Sequence, residues 1–203
     1  MARIILIHGY SVGITISSGP LPADLGFSSF EEQLATREAV MFSWYQEEKH
    51  SFFSFINPFY LHQLYKIEKI ASQSVAVLTR LAKLLTEEQP EIIVCHSLGT
   101  TLLLNFLNAF SLEKSVEKII FIQSDIPKNT AIPETLTQVE FLNVYCFWDP
   151  VLLLSWFLNG VRPIGLIGWN RPGIVNRFVP LFGRWNLHNA SIADKKFALA
   201  ITS

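Results

Sequence analysis

The sequence predicts an α/β protein, a three-layer sandwich in which a mostly parallel sheet of about six strands carries helices on both faces. Two observations lead to it. The strand-like segments are short, continuous aliphatic runs such as Ile4-Ile5-Leu6-Ile7, not the apolar-polar alternation of a sheet with one wet face. Between them lie stretches long enough for helices, with few of the tight-turn dipeptides that join antiparallel strands. A chain of 203 residues suits a single domain, 1–203, whose core needs no disulfide or metal staple.

The first strand, Arg3–His8, is closed by Gly9. Phe27–Arg37 is helical, with Ser28 or Ser29 as cap and Glu31 and Glu32 in the first turn, where the helix dipole favours anions. Val40–Trp44 is the second strand. Over Leu61–Glu88, Leu64, Ile67, Ala71, Ser74, Leu78, Leu81 and Leu85 recur in steps of three and four, which predicts one long amphipathic helix ended by Pro90. Glu91–Cys95 is a strand, and Thr100–Phe110 a helix apolar nearly all round and therefore central. Lys118–Gln123 and Val139–Phe147 are two more buried strands, Ile174–Val179 is a weaker sixth, and a terminal helix follows.

Composition narrows the function. With 16 basic and 17 acidic residues the net charge is −1, so no overall field would hold a polyanion and no nucleic-acid partner is expected. Mean hydropathy is +0.31, which raises the question of a spanning helix. The greasiest stretch, Phe141–Trp169, is interrupted by Asp149, Pro150, Asn159, Gly160, Arg162 and Pro163, and its cleanest run, Val151–Leu158, falls far short of about 20 residues. Ile4–Ile7 is too short for a signal-peptide core, so a cytoplasmic location is expected. Cys95 and Cys146 lie in apolar runs and fit reduced, buried thiols. No His pair has metal-ligand spacing, and neither metal nor cofactor is expected.

In an open parallel sheet the chemistry lies beyond the carboxyl ends of the strands. Three segments stand there: His8-Gly9-Tyr10-Ser11, Cys95-His96-Ser97-Leu98-Gly99 and Trp148-Asp149-Pro150; His188 follows the last strand. A serine on a sharp strand-to-helix turn needs small residues two before and two after it, so that strand and helix can approach. Gly99 meets that need fully, and Cys95 stands where a second glycine is usual. By itself Ser97 also fits a helix N-cap. The motif and the order Ser97, Asp149, His188 resemble the α/β-hydrolase superfamily, over essentially the whole chain but beginning at its central strands without the usual N-terminal hairpin.

That resemblance implies a reduced α/β-hydrolase fold and a serine hydrolase. Ser97 is the implied nucleophile, His188 the base and Asp149 the acid, with Asp125 as the alternative acid after the preceding strand. The oxyanion hole falls to the backbone N–H of Leu98 and of Tyr10 or Ser11. His50 and His62, flanking an aromatic segment, are ordinary surface or packing residues, and His96 beside Ser97 is expected to line the pocket.

Two segments that the sheet does not use, 45–60 with Phe52 and Phe53 and 150–173 with Trp156 and Trp169, follow strand ends. They suit either a cap and acyl pocket or additional core. The expected substrate is a small ester or lipid-like molecule, with a thioester chemically adjacent; a non-catalytic hydrolase-like binding protein is the rival. From Pro150 to Arg184 there is no Lys, Asp or Glu, while Arg162, Arg171, Arg177 and Arg184 are all present. Such a stretch suits peripheral contact with an anionic lipid head group, a substrate carboxylate or phosphate, or plain covering of apolar surface.

Overall fold

The computed structural model describes residues 1–9, 27–44, 58–132, 138–180 and 188–202. Along the chain run β1 (Ile4–Ile7), a 3₁₀ turn (Ser28–Phe30) leading into α1 (Glu31–Ala35), β2 (Ala39–Phe42), α2 (Pro58–Ala71), α3 (Val75–Glu88) and β3 (Ile92–His96). There follow α4 (Gly99–Ala109), β4 (Lys118–Ile122), β5 (Glu140–Tyr145), α5 (Pro150–Asn159), α6 (Ile164–Ile167), β6 (Ile174–Phe178), α7 (Ala190–Ala193) and α8 (Lys195–Thr202). The six strands make one sheet in the order β2-β1-β3-β4-β5-β6, every neighbouring pair parallel.

Successive side chains of a strand point to opposite faces, and here both faces are covered. Ile5, Ile7, Ile93, Cys95, Ile119, Phe121 and Phe141 pack on one side against Leu78, Leu81 and Leu85 of α3 and the apolar face of α4. Ile4, Leu6, Ile92, Val94, Ile120, Ile122, Leu142 and Val144 pack on the other against Phe27, Phe30, Ile192, Ala198 and Ile201. The continuous aliphatic runs are therefore the sequence of a three-layer α/β sandwich, each fully buried Ile or Leu contributing about 1.5–3 kcal/mol.

Several expectations are corrected. The helix predicted over Leu61–Glu88 is two helices, broken at Ser72–Ser74. Ser72 is buried and turns its hydroxyl back to Lys69 O at 2.7 Å, while Asn105 of α4 donates to Ser72 O at 3.2 Å and to its Oγ at 3.0 Å. The chain is thereby pinned to α4 where the helical register would carry on. Ile67 and Ile70 on α2 are exposed, so the apolar stripe of α3 does not extend through them. Neither Ser28 nor Ser29 caps α1: the N-cap is Phe30, and Ser29 Oγ donates across the layer to Ile192 O.

Candidate active site

Ser97 is on the turn between β3 and α4, with φ +50, a left-handed conformation that a non-glycine residue adopts at a cost of about 1–2 kcal/mol. Its N–H still donates to Ile122 O at 3.0 Å, so the last rung of the β3–β4 ladder holds the turn. Gly99 explains the tightness. A Cβ there would lie 2.5 Å from His8 O and 2.6 Å from Ile7 O, so only glycine lets α4 start against the end of β1. Gly9 is crowded likewise, because its Cβ would stand 2.6 Å from Ser97 Cβ. Cys95, at the other small position, is fully buried in the core behind the turn, and burial pushes its thiol well above the usual range. Both cysteines are free.

Leu98 heads α4, and its N–H donates to no backbone carbonyl among the described residues. It stands at the positive end of an eleven-residue helix. Tyr10 and Ser11, the expected second donors, lie outside the described residues, as do Phe52 and Phe53 and most of the segment 45–60.

Asp149 follows β5 and caps α5, whose first residue is Pro150. Its Oδ1 accepts Val151 N at 2.9 Å and Leu152 N at 3.1 Å. Its Oδ2 accepts Gln123 Nε2 at 2.6 Å and His188 Nδ1 at 2.7 Å. Burial alone would raise this carboxyl, but the neighbouring His188 and the hydrogen bonds from His188, Leu152 and Gln123 outweigh it and hold it below the usual range. The bond at Nδ1 leaves Nε2 as the nitrogen of His188 with no hydrogen bond among the described residues.

Gln123 was not anticipated as a site residue. It too sits at a strand end with positive φ, +47, wholly buried, and it aims its amide at Asp149. Only the polar residue closing the run Lys118–Gln123 could have signalled it.

His96 joins the serine turn to the histidine. Its Nε2 bonds to His188 O at 2.9 Å and the two rings are 4.7 Å apart. Burial, with His188 beside it, lowers the His96 pKa to about 3, so the ring is neutral and Nε2–H is the donor. Among the described residues no hydrogen bond joins Ser97 Oγ to His188. His8 is buried as well, stacked 5.7 Å from Trp44, and burial lowers its pKa to about 4.

The other expected residues go elsewhere. Asp125 is not bonded to His188: it accepts hydrogen bonds from Tyr65 Oη and, at 2.6 Å, from Ser155 Oγ. It lines a cavity of about 220 Å³ with Tyr65, Lys69, Pro127, Ser155, Asn159 and Val161. Trp169 is no pocket residue. It is buried in the core, 5.9 Å from the Phe121 ring, with no hydrogen-bond partner for its indole N–H among the described residues. Trp156 is half-buried beneath the Arg162 guanidinium, 4.3 Å from its ring centroid. Among the described residues no three His, Cys, Asp or Glu come together in a way that could hold a metal ion. No helix among them is long and apolar enough to cross a membrane. No model of a known protein family matches this chain, and no curated protein matches it.

Proposed function

We propose that this chain is a serine hydrolase of α/β-hydrolase type that cleaves a carboxylic ester with an apolar acyl group. One observation carries the proposal: a left-handed serine, Ser97, on a strand-to-helix turn in the same row of strand ends as a His188–Asp149 pair 2.7 Å apart. His188 Nε2 takes the Ser97 proton as Oγ attacks the carbonyl carbon. The oxyanion forms at the start of α4, where the Leu98 N–H has no backbone acceptor among the described residues. His188 then passes the proton to the departing alkoxide, and a water attacking by the same route releases the acid. Asp149, fixed by three further donors, holds the imidazole with Nδ1 protonated and Nε2 free. A thioester would be opened by the same groups.

A non-catalytic ligand-binding protein on the same turn is favoured by one observation, the missing Ser97 Oγ–His188 hydrogen bond. Labelling by a serine-directed fluorophosphonate, with a series of p-nitrophenyl esters of rising chain length, separates the two. The hydrolase is expected to label and turn over, and Ser97→Ala to do neither. Wild type that neither labels nor cleaves any ester, or Ser97→Ala that labels equally, sinks the hydrolase.

A further inference from the structure

α5 is built the wrong way round for a helix facing water. Leu152 is its buried residue, whereas Val151, Leu153, Leu154 and Phe157 are exposed, Phe157 by 84%. At 100° per residue those four occupy one arc of about 160°, centred opposite Leu152. Phe147 and Trp148 ahead of the helix and Val161 beyond it are also exposed, so the apolar strip continues past both ends. An apolar strip of this extent on a surface marks something that covers it.

The far end of the strip is basic. Pro127 bridges to Pro163 in antiparallel fashion, and Lys128 N donates to Arg162 O at 3.2 Å. Arg171 Nη2 donates to Asn129 O at 3.1 Å. These contacts gather Lys128, Arg162 and Arg171, all exposed, around the end of α5. Among the described residues none of the three pairs with a carboxylate. The stretch from Pro150 to Arg184 adds no acid of its own.

We infer that the outer face of α5, with Lys128, Arg162 and Arg171 at its end, docks the protein on an anionic lipid bilayer. The apolar arc enters the interface and the three cations meet phosphate head groups. The charge favours this occupant over a second copy of the chain, whose own stretch from Pro150 to Arg184 offers no carboxylate to meet the three cations. Because Asp149 caps α5, the docked surface lies at the rim of the candidate site, where an apolar ester dissolved in the bilayer would be within reach.

Sedimentation of the full chain with phosphatidylcholine vesicles, with and without about a third phosphatidylglycerol, tests the inference. Binding is expected to the anionic vesicles only and to weaken with salt, since it depends on exposed charge. Phe157→Glu, at an exposed position that leaves the core untouched, is expected to weaken binding at least tenfold, and Arg162→Gln about fivefold. Ser97→Ala is expected to bind like wild type, so binding without labelling would retain the docking surface while removing the hydrolase. Absence of binding to anionic vesicles, or both α5-face variants binding like wild type, overturns the inference. A concentration-dependent dimer that Phe157→Glu dissociates, without vesicle binding, overturns it in favour of a second copy.

Discussion

Asp125 and Asp149 follow the ends of neighbouring strands, β4 and β5, and both are buried, yet the fold shifts their pKa values in opposite directions. Asp149 receives two backbone N–H groups from the start of α5, an amide and an imidazole, and stays below the usual carboxylate range despite burial. Asp125 receives two hydroxyls, from Tyr65 and Ser155; burial prevails over them, over Lys69 and over His188, and its pKa is raised. The Tyr65 phenol opposite is pushed up as well, by burial first and the Asp125 charge second. With both carboxyls buried, the direction of the shift is left to the partners. A helix N-terminus and an imidazole lower a buried carboxyl where two neutral hydroxyls leave it raised. Of the two, only Asp149 is hydrogen-bonded to the His188 imidazole.

The largest effect expected tests the proposed nucleophile. Ser97→Ala should lower kcat on the order of 10⁶-fold with the circular dichroism spectrum unchanged. Next is the comparison itself. Asp149→Asn should cost about 10⁴ in kcat, and Asp125→Asn less than about tenfold; equal losses in the two variants would abolish the distinction drawn between the two strand ends. Gln123→Leu removes one donor from a buried charge, a hydrogen bond of about 1.5–3 kcal/mol, so kcat/KM should fall about tenfold to a hundredfold with substrate affinity little changed.

Acid stability sharpens the contrast more gently. Asp149, with a depressed folded pKa, contributes stability above its unfolded pKa that is lost as pH falls through the folded value. Asp125 acts with the opposite sign: its raised pKa lets the folded carboxyl take up its proton first, so stability rises as pH falls through that value. Urea melts of Asp125→Asn should lack that compensation and lose more stability on acidification than wild type.

His8, lowered to about 4 by burial, stays neutral in the fold while the unfolded ring charges below its ordinary value of about 6.5, so stability is lost as pH falls across that window. The loss is at most about 3 kcal/mol, and His8→Gln should reduce it in melts at pH 7, 5.5 and 4.5.

The sheet was legible because strands buried on both faces have to be aliphatic throughout: Ile4–Ile7 and Ile92–His96 announce themselves by lacking alternation. The serine turn was legible through Gly99, whose absent side chain is a steric necessity, and Asp149 through the strand end that carries it. What was not legible depends on contacts distant in sequence. The break at Ser72 is set by Asn105, the role of Gln123 by Asp149, and the bond of His96 by the loop that carries His188. No local pattern distinguishes Trp169, stacked on Phe121 in the core, from a tryptophan over a pocket. Periodicity placed Ile67 in a core stripe, yet it is half exposed, because periodicity sees the helix and not what packs against it.

An all-parallel sheet also implies an order of assembly. Ile92 pairs with Lys118 and Lys118 with Glu140, each across one short crossover, whereas Ile4 has to find Ile92 with α1 to α3 in between. Loop-closure entropy and contact order favour the nearer pairings, so β3, β4 and β5 form the expected folding nucleus and β1 joins later. Val94→Ala should therefore slow refolding more than Leu6→Ala, measured as the fraction of each destabilisation that appears in the folding rate. On that order Ser97 is set in its left-handed turn before Gly9 closes over it, and the tightest contact of the site is among the last to form.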